Sequence, residues 1–268
     1  MRKRALAAAL LAGSAMTLGL VAPATAAERD SGVQPFIVGG VDATETYGFM
    51  AGMQTRDGRH NCGASLISAQ WLVTAAHCVT DPSTDSAVDP SRWQYRIGTT
   101  DRTSGGEVAE VAEFIPHENW SWSGPGQYDI ALARLAAPVA AEPIEIGSSP
   151  APGTEVRELG WGLTCPTRGC GQAPVTLQQL DTTIAADGRC GRGFDPDSEL
   201  CMDNKGGEGS SCYGDSGGPA VVRGGGRWVL VGATSRGQTA SCPELPGIYT
   251  DVTSYTGWIA ERTGGQVS

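Results

Sequence analysis

The sequence predicts an all-β protein built from many short strands. From Tyr47 onward, short apolar runs alternate with glycine, proline, asparagine and aspartate turns. Residues 37–268 number 232, enough for one large β domain or two packed lobes. Eight cysteines, an even number, read as a disulfide framework rather than as metal ligands in a chain that leaves the cell. Eight cysteines alone allow about 105 pairings, so spacing leaves the connectivity open.

Export is read from the first residues. Arg2-Lys3-Arg4 is a basic start, Ala5 to Val21 an apolar run, and Ala24-Thr25-Ala26 a small-residue cleavage site. Residues 1–26 are therefore expected to be a secretory signal peptide, and the protein to be secreted, with no membrane attachment after cleavage. No later segment is long and apolar enough to suggest a bilayer span. The alanine-rich leader, without eukaryotic hallmarks, suggests a bacterial source. Residues 27–36 (AERDSGVQPF) are short, polar and end in proline and phenylalanine, as a linker does.

Residues 1–36 carry two net positive charges: Arg2, Lys3, Arg4 and Arg29 against Glu28 and Asp30. Residues 37–268 therefore hold a formal charge of −12 against −10 for the whole chain. Such an acidic surface argues against nucleic acid or an anionic membrane as partner.

After the linker comes Ile37-Val38-Gly39-Gly40. Cys62-Gly63-Ala64-Ser65-Leu66-Ile67 and Trp71-Leu72-Val73-Thr74 then read as adjacent strands. Asp81 to Pro90 is an acidic, proline-bearing loop whose carboxylates lack calcium-ligand spacing, so it reads as solvated. Proline-rich residues 138–153 mark a lobe boundary. Thr154 to Leu159, Val229 to Ala233 and Gly247 to Val252 read as strands. Ser254 to Arg262, with Tyr255, Trp258 and Ile259 at helical spacing, reads as a closing helix.

The chemistry concentrates in Gly214-Asp215-Ser216-Gly217-Gly218-Pro219. A serine between glycines suits a nucleophile on a tight turn, where small neighbours let backbone N–H groups approach the group under attack. Such a hydroxyl needs a base and an orienting carboxylate. Thr74-Ala75-Ala76-His77-Cys78 and Asp129-Ile130-Ala131-Leu132 offer both. His60, in a polar run, and His117, after Pro116, lack these flanks and read as structural or solvated.

The order His77, Asp129, Ser216, with these flanks, resembles the chymotrypsin/trypsin family of serine peptidases. Gly160-Trp161-Gly162 and Ile37-Val38-Gly39-Gly40 extend the likeness over residues 37–262. The resemblance implies two packed antiparallel six-stranded β-barrels with a C-terminal helix and the catalytic residues in the cleft between them. It implies His77 as base, Asp129 as its orienter, Ser216 as nucleophile, and the N–H groups of Gly214 and Ser216 as oxyanion hole. It also implies the pairs Cys62–Cys78, Cys190–Cys201 and Cys212–Cys242, leaving Cys165 to join Cys170 locally.

The same resemblance implies a precursor, in which cleavage before Ile37 frees an amine that pairs with Asp215. Residues 27–36 are then an activation propeptide and 37–268 the peptidase domain. Pro35-Phe36 precedes the cut where animal precursors often carry Arg or Lys. In the primary pocket the likeness puts Ser210 on the floor, with Ser235, Gly237 and Gly247 around it. A neutral, open pocket suits Phe, Tyr, Trp or Leu; trypsin-like or elastase-like selection is the alternative, and a non-catalytic binding homologue the rival of another class. Arg236 stands where the family usually has an aromatic, and is expected to favour an acidic residue at a more distant subsite. Glu208 falls outside the floor position. The expected partners are protein and peptide substrates and protein inhibitors. The chain is expected to be a monomer without metal or organic cofactor. An α/β-hydrolase esterase is excluded by motif order, since its triad runs Ser, Asp, His.

Overall fold

A computed structural model describes residues 37–267. The expected leader and linker, residues 1–36, lie outside the described residues. A two-residue strand, β1 (Val41–Asp42), precedes six strands that close into a barrel: β2 (Met50–Thr55), β3 (His60–Ser68), β4 (Trp71–Thr74), β5 (Trp93–Ile97), β6 (Glu107–Pro116) and β7 (Ala131–Leu135). Their order is β2-β3-β4-β7-β6-β5, and antiparallel pairing of Ala51 with Ile97 brings β5 back onto β2. Closure removes the free edges that short strands otherwise expose.

The pattern of β6 shows how side chains choose their face. Ala109 and Val111 point inward while Glu110 points out. Between Val111 and Glu113 the register with β7 slips by a residue. Ala112 and Glu113 then both face solvent, and Phe114 returns to the core.

Six further strands form the second lobe: β8 (Glu155–Gly160), β9 (Gln178–Thr183), β10 (Glu199–Met202), β11 (Pro219–Gly224), β12 (Arg227–Arg236) and β13 (Gly247–Asp251). With β1 added at one edge, the order is β1-β9-β8-β11-β12-β13-β10. This sheet curls rather than closing by a full ladder. A bridge from Ile184 to Met202 links the end of β9 to β10, with Ala185 N–H donating to the Cys201 carbonyl at 2.7 Å. The expected six-stranded second barrel is thus a curled sheet whose outer strands meet at one point.

Between β7 and β8 the connecting chain touches both lobes: Ile144 N–H donates to Leu66 O at 2.9 Å and Gly147 N–H to Leu230 O at 2.8 Å. The expected closing helix is shorter than its apolar spacing suggests. A 3-10 turn (Val252–Tyr255) precedes α-helix Thr256–Arg262. Asp251 caps that turn, accepting the Thr253 N–H at 2.9 Å. Tyr255 and Trp258 close on His117, with ring centroids 5.5 and 5.1 Å away, which makes His117 structural. All four expected cysteine pairs are bonded. Among the described residues, no helix is long and apolar enough to cross a membrane.

Candidate functional site

His77 sits on a single helical turn, Ala76–Val79, directly after β4. The bond from Cys78 to Cys62 ties that turn to β3. Asp129 precedes β7, and Tyr128 beside it takes a left-handed φ of 60°. Because β4 and β7 are hydrogen-bonded neighbours, the two loops that leave them share one end of the barrel.

The Asp129 carboxylate is 2% exposed, and both of its oxygens accept. Oδ1 takes the His77 backbone N–H at 2.9 Å. Oδ2 takes His77 Nδ1 and the Ser235 hydroxyl, both at 2.7 Å. An ionised carboxylate is an acceptor only, so Nδ1 of His77 carries the proton and a neutral imidazole keeps its lone pair on Nε2. Burial pushes the His77 pKa down, but the charge and hydrogen bond of Asp129 outweigh it, leaving a net rise above the ordinary histidine value.

Ser216 lies on the turn between Cys212 and β11. Gly214 there has φ 101°, a conformation that a side chain would strain. The Ser216 carbonyl accepts the Gly63 N–H from β3 at 2.8 Å, which pins this turn of the second lobe onto the first. Around the turn the N–H groups of Asp215, Gly217 and Gly218 bond to Cys212, Thr234 and Asp215 carbonyls. Those of Gly214 and Ser216 meet no acceptor among the described residues, so two donors remain available beside the hydroxyl. Ser216 and His77 line one cavity of about 270 Å³, together with Ser210, Ser211, Gly237 and Gly247.

His60, read from its sequence as structural or solvated, is structural. Half-buried, its ring packs edge-on against Trp161, and Nε2 donates to the Gly214 carbonyl at 2.9 Å. Burial lowers its pKa to about 4, so it is neutral near neutral pH. It holds the Gly214 peptide by its carbonyl. No local signal could reveal this, because the contact spans 154 residues.

Asp215 is fully buried. Oδ1 accepts the Gly162 N–H and Oδ2 the Cys212 N–H, each at 2.8 Å. A Cβ on Gly162 would lie 2.4 Å from this carboxyl group, so only glycine leaves room for it. Burial lifts its pKa to about 6 against the lowering effect of the two N–H bonds. Ile37 is also fully buried, and Val38 pairs with Ser210, accepting its N–H at 3.0 Å.

The expectation for Arg236 needs correction. Its guanidinium pairs with Glu199, which is 2% exposed, at 2.5 and 3.0 Å, and also donates to the Gly193 and Gly126 carbonyls. With its charge matched and its donors engaged, it is not free to recruit an acidic residue. Arg236 lines the cavity that holds Ser216 and also a second cavity, of about 250 Å³, with His77, Trp120, Trp122 and Gly126. Both indoles are anchored from behind, donating to Thr80 Oγ1 at 3.1 and 3.0 Å. In the acidic loop Asp85 accepts the Trp122 N–H at 2.9 Å, which ties this loop to the same aromatic wall. Cys62 and Cys78 lie near His77, but their sulfurs are bonded to each other, so the three are not a metal-ligand set.

Comparison with known proteins adds two findings. The family model described as trypsin matches residues 37–259. The transmembrane protease serine 11C of Mus musculus is 34% identical over 243 residues, a match covering 85% of this chain and 54% of that protein. The chain thus spans about half the length of that relative.

Proposed function

The chain belongs to the trypsin family of serine peptidases, and from that premise we propose that it is a secreted serine endopeptidase acting through an acyl-enzyme. The observation that carries this reading is that His77, paired with the buried Asp129, lines the same cavity as Ser216. Ser216 Oγ attacks the peptide carbonyl while His77 Nε2 takes its proton, then passes it to the leaving amine. Asp129 holds the tautomer. The Gly214 and Ser216 N–H groups receive the oxyanion, and the loss of one such donor costs about 3 kcal/mol of transition-state stabilisation. Water then repeats the sequence to release the acid.

The open cavity walled by Gly237 and Gly247, with Ser210 at its floor and no acidic residue in its lining, suits a large apolar or aromatic side chain before the cut. The tryptophan-lined cavity on the other side of His77 suits an apolar side chain of an adjoining substrate residue. Residues 1–26 act as export signal and 27–36 as propeptide. Cleavage before Ile37 frees an amine that supplies the cation Asp215 lacks among the described residues. Phe36 matches the proposed preference, so the enzyme makes its own activating cut.

Labelling with an organophosphonate tests the reaction. The mature wild type should be modified at Ser216 and lose its peptidase activity, and Ser216→Ala should take no label. Absence of label on the mature wild type would sink the reading. Self-activation fails separately if purified Ser216→Ala still matures at Ile37.

A further inference from the structure

The short loop closed by Cys165 and Cys170 carries an arginine that the proposed reaction leaves unused. Inside the loop the Cys170 N–H donates to the Thr167 carbonyl at 3.3 Å, which makes residues 167–170 a tight turn. Gly169, third in that turn, has φ 79°, where a turn of this kind needs glycine. Arg168 therefore stands at the corner of a turn whose backbone is fixed by both a hydrogen bond and a disulfide. Two more bonds hold the loop to the catalytic segment: Leu163 N–H donates to the Tyr213 carbonyl at 2.8 Å, and Cys242 N–H to the Pro166 carbonyl at 2.9 Å.

The Arg168 guanidinium lies over the Tyr213 ring, 4.4 Å from its centroid. That ring is fixed at its far end, where the Tyr213 hydroxyl donates to the Ala240 carbonyl at 3.0 Å. The aromatic face attracts the charge without consuming an N–H, so the planar fork of donors stays available. Arg168 and Arg236 both line the cavity that holds Ser216 and His77, and no carboxylate lines it with them. Arg236 is matched by Glu199. Arg168 is exposed and pairs with no carboxylate among the described residues. An uncompensated, pre-oriented guanidinium at the rim of a cavity is a receptor for a carboxylate.

We propose that Arg168 is a specificity-determining residue: its guanidinium, laid on the Tyr213 ring, receives the carboxylate of an Asp or Glu within the first two substrate residues after the cut. The placement follows from the cavities. Arg168 lines the cavity of Ser216 but not the tryptophan-lined one, which takes a residue before the cut under the proposed reading. Tyr213 directly precedes Gly214, whose N–H receives the oxyanion in that reading, so the guanidinium stands beside the reacting carbonyl and away from the tryptophans. The direction left open there is that of the chain beyond the cut. The proposed activating cut offers Ile37 and Val38 at those two places and proceeds without this contact.

This inference rests on the peptidase reading. Its test is a set of peptides with Phe before the cut that differ only in carrying Glu, Gln or Lys at the first or the second position after it. With the mature wild type at an ionic strength of about 0.02 M, the Glu:Gln ratio of kcat/KM should reach about five at one of these positions, and Lys should fall below Gln. At about 1 M, where exposed charges are screened, the ratio should drop toward one. Arg168→Gln should show a ratio near one at both salt concentrations, and Arg168→Glu should place Lys above Glu. A wild-type ratio of one at both positions overturns the inference without any variant, and so does a preference that survives in Arg168→Gln. Labelling of Ser216 shows that each variant is folded. Failure of the wild type to cleave any of the peptides or to take the label would instead sink the peptidase reading, and this inference with it.

Discussion

Asp129 offers two carboxylate oxygens to three donors, and that crowding decides how His77 behaves. With Oδ2 held by Ser235, the carboxylate cannot swing away, and the imidazole has one stable orientation. Ser235, expected from the resemblance to border substrate, thus also anchors the orienting acid. The raised His77 pKa has a definite consequence under the proposed mechanism. The base must be neutral to work, so kcat/KM should rise with pH through an inflection above the ordinary histidine value of about 6.5. Asp129→Asn should lower that inflection and, by favouring the wrong tautomer, reduce kcat by about 10⁴-fold. An unchanged acid limb in that variant would show that Asp129 does not control the imidazole.

Among the elements, the ion pair joining the ends of β10 and β12 has the clearest consequence. Arg236→Ala would leave the Glu199 carboxylate buried without its cation, at a cost of about 3–5 kcal/mol, whereas replacing both residues by apolar ones of similar volume should cost far less. Urea unfolding of the single and double variants checks this, and equal destabilisation would argue against it. The β6 slip at Val111–Glu113 is a different case. Strict alternation read from EVAEVAEF would send Phe114 outward, and only pairing with β7 reveals the extra residue that turns it in. The expected strand over Val229–Ala233 also proves longer, Arg227–Arg236, because pairing partners sustain a strand past the end of its apolar run.

On the scale of the whole molecule, the two lobes meet where Asp215 and Ser216 are seated, and there burial links charge to stability. Asp215 ionises at about 6 in the fold, against about 3.9 in an unfolded chain. A raised carboxyl pKa favours the fold below the unfolded value and disfavours it as pH rises toward the folded one. From about pH 4 to about pH 6 the precursor should therefore lose on the order of 3 kcal/mol from this group, and Asp215→Asn should lose less. The proposed Ile37 amine would offset that loss, so the mature chain should lose less stability than an uncut Ser216→Ala precursor over the same range. Thermal unfolding of both forms across that range is the check, and parallel curves would remove Asp215 from the activation scheme. Once made, the amine's own contribution is complete below its free pKa of about 7.7–8.0 and disappears as pH rises through its raised value in the fold.

The sequence by itself determined the many-stranded fold, the flanked serine, histidine and aspartate, and, through its resemblance to a family, how eight cysteines pair. These are legible because short-range constraints carry them: a turn needs its glycines, and a strand needs its apolar run. Only the tertiary structure decided that His60 grips Gly214, that Arg236 is matched by Glu199, and that the carboxylate of Glu158 is buried on the Ser211 N–H. Each of these joins residues from 37 to 154 positions apart. A charged or polar side chain reads as solvated until the fold shows what buries it, and desolvation, which follows from packing rather than from neighbours in the chain, is what gives such a group its pKa and its partner.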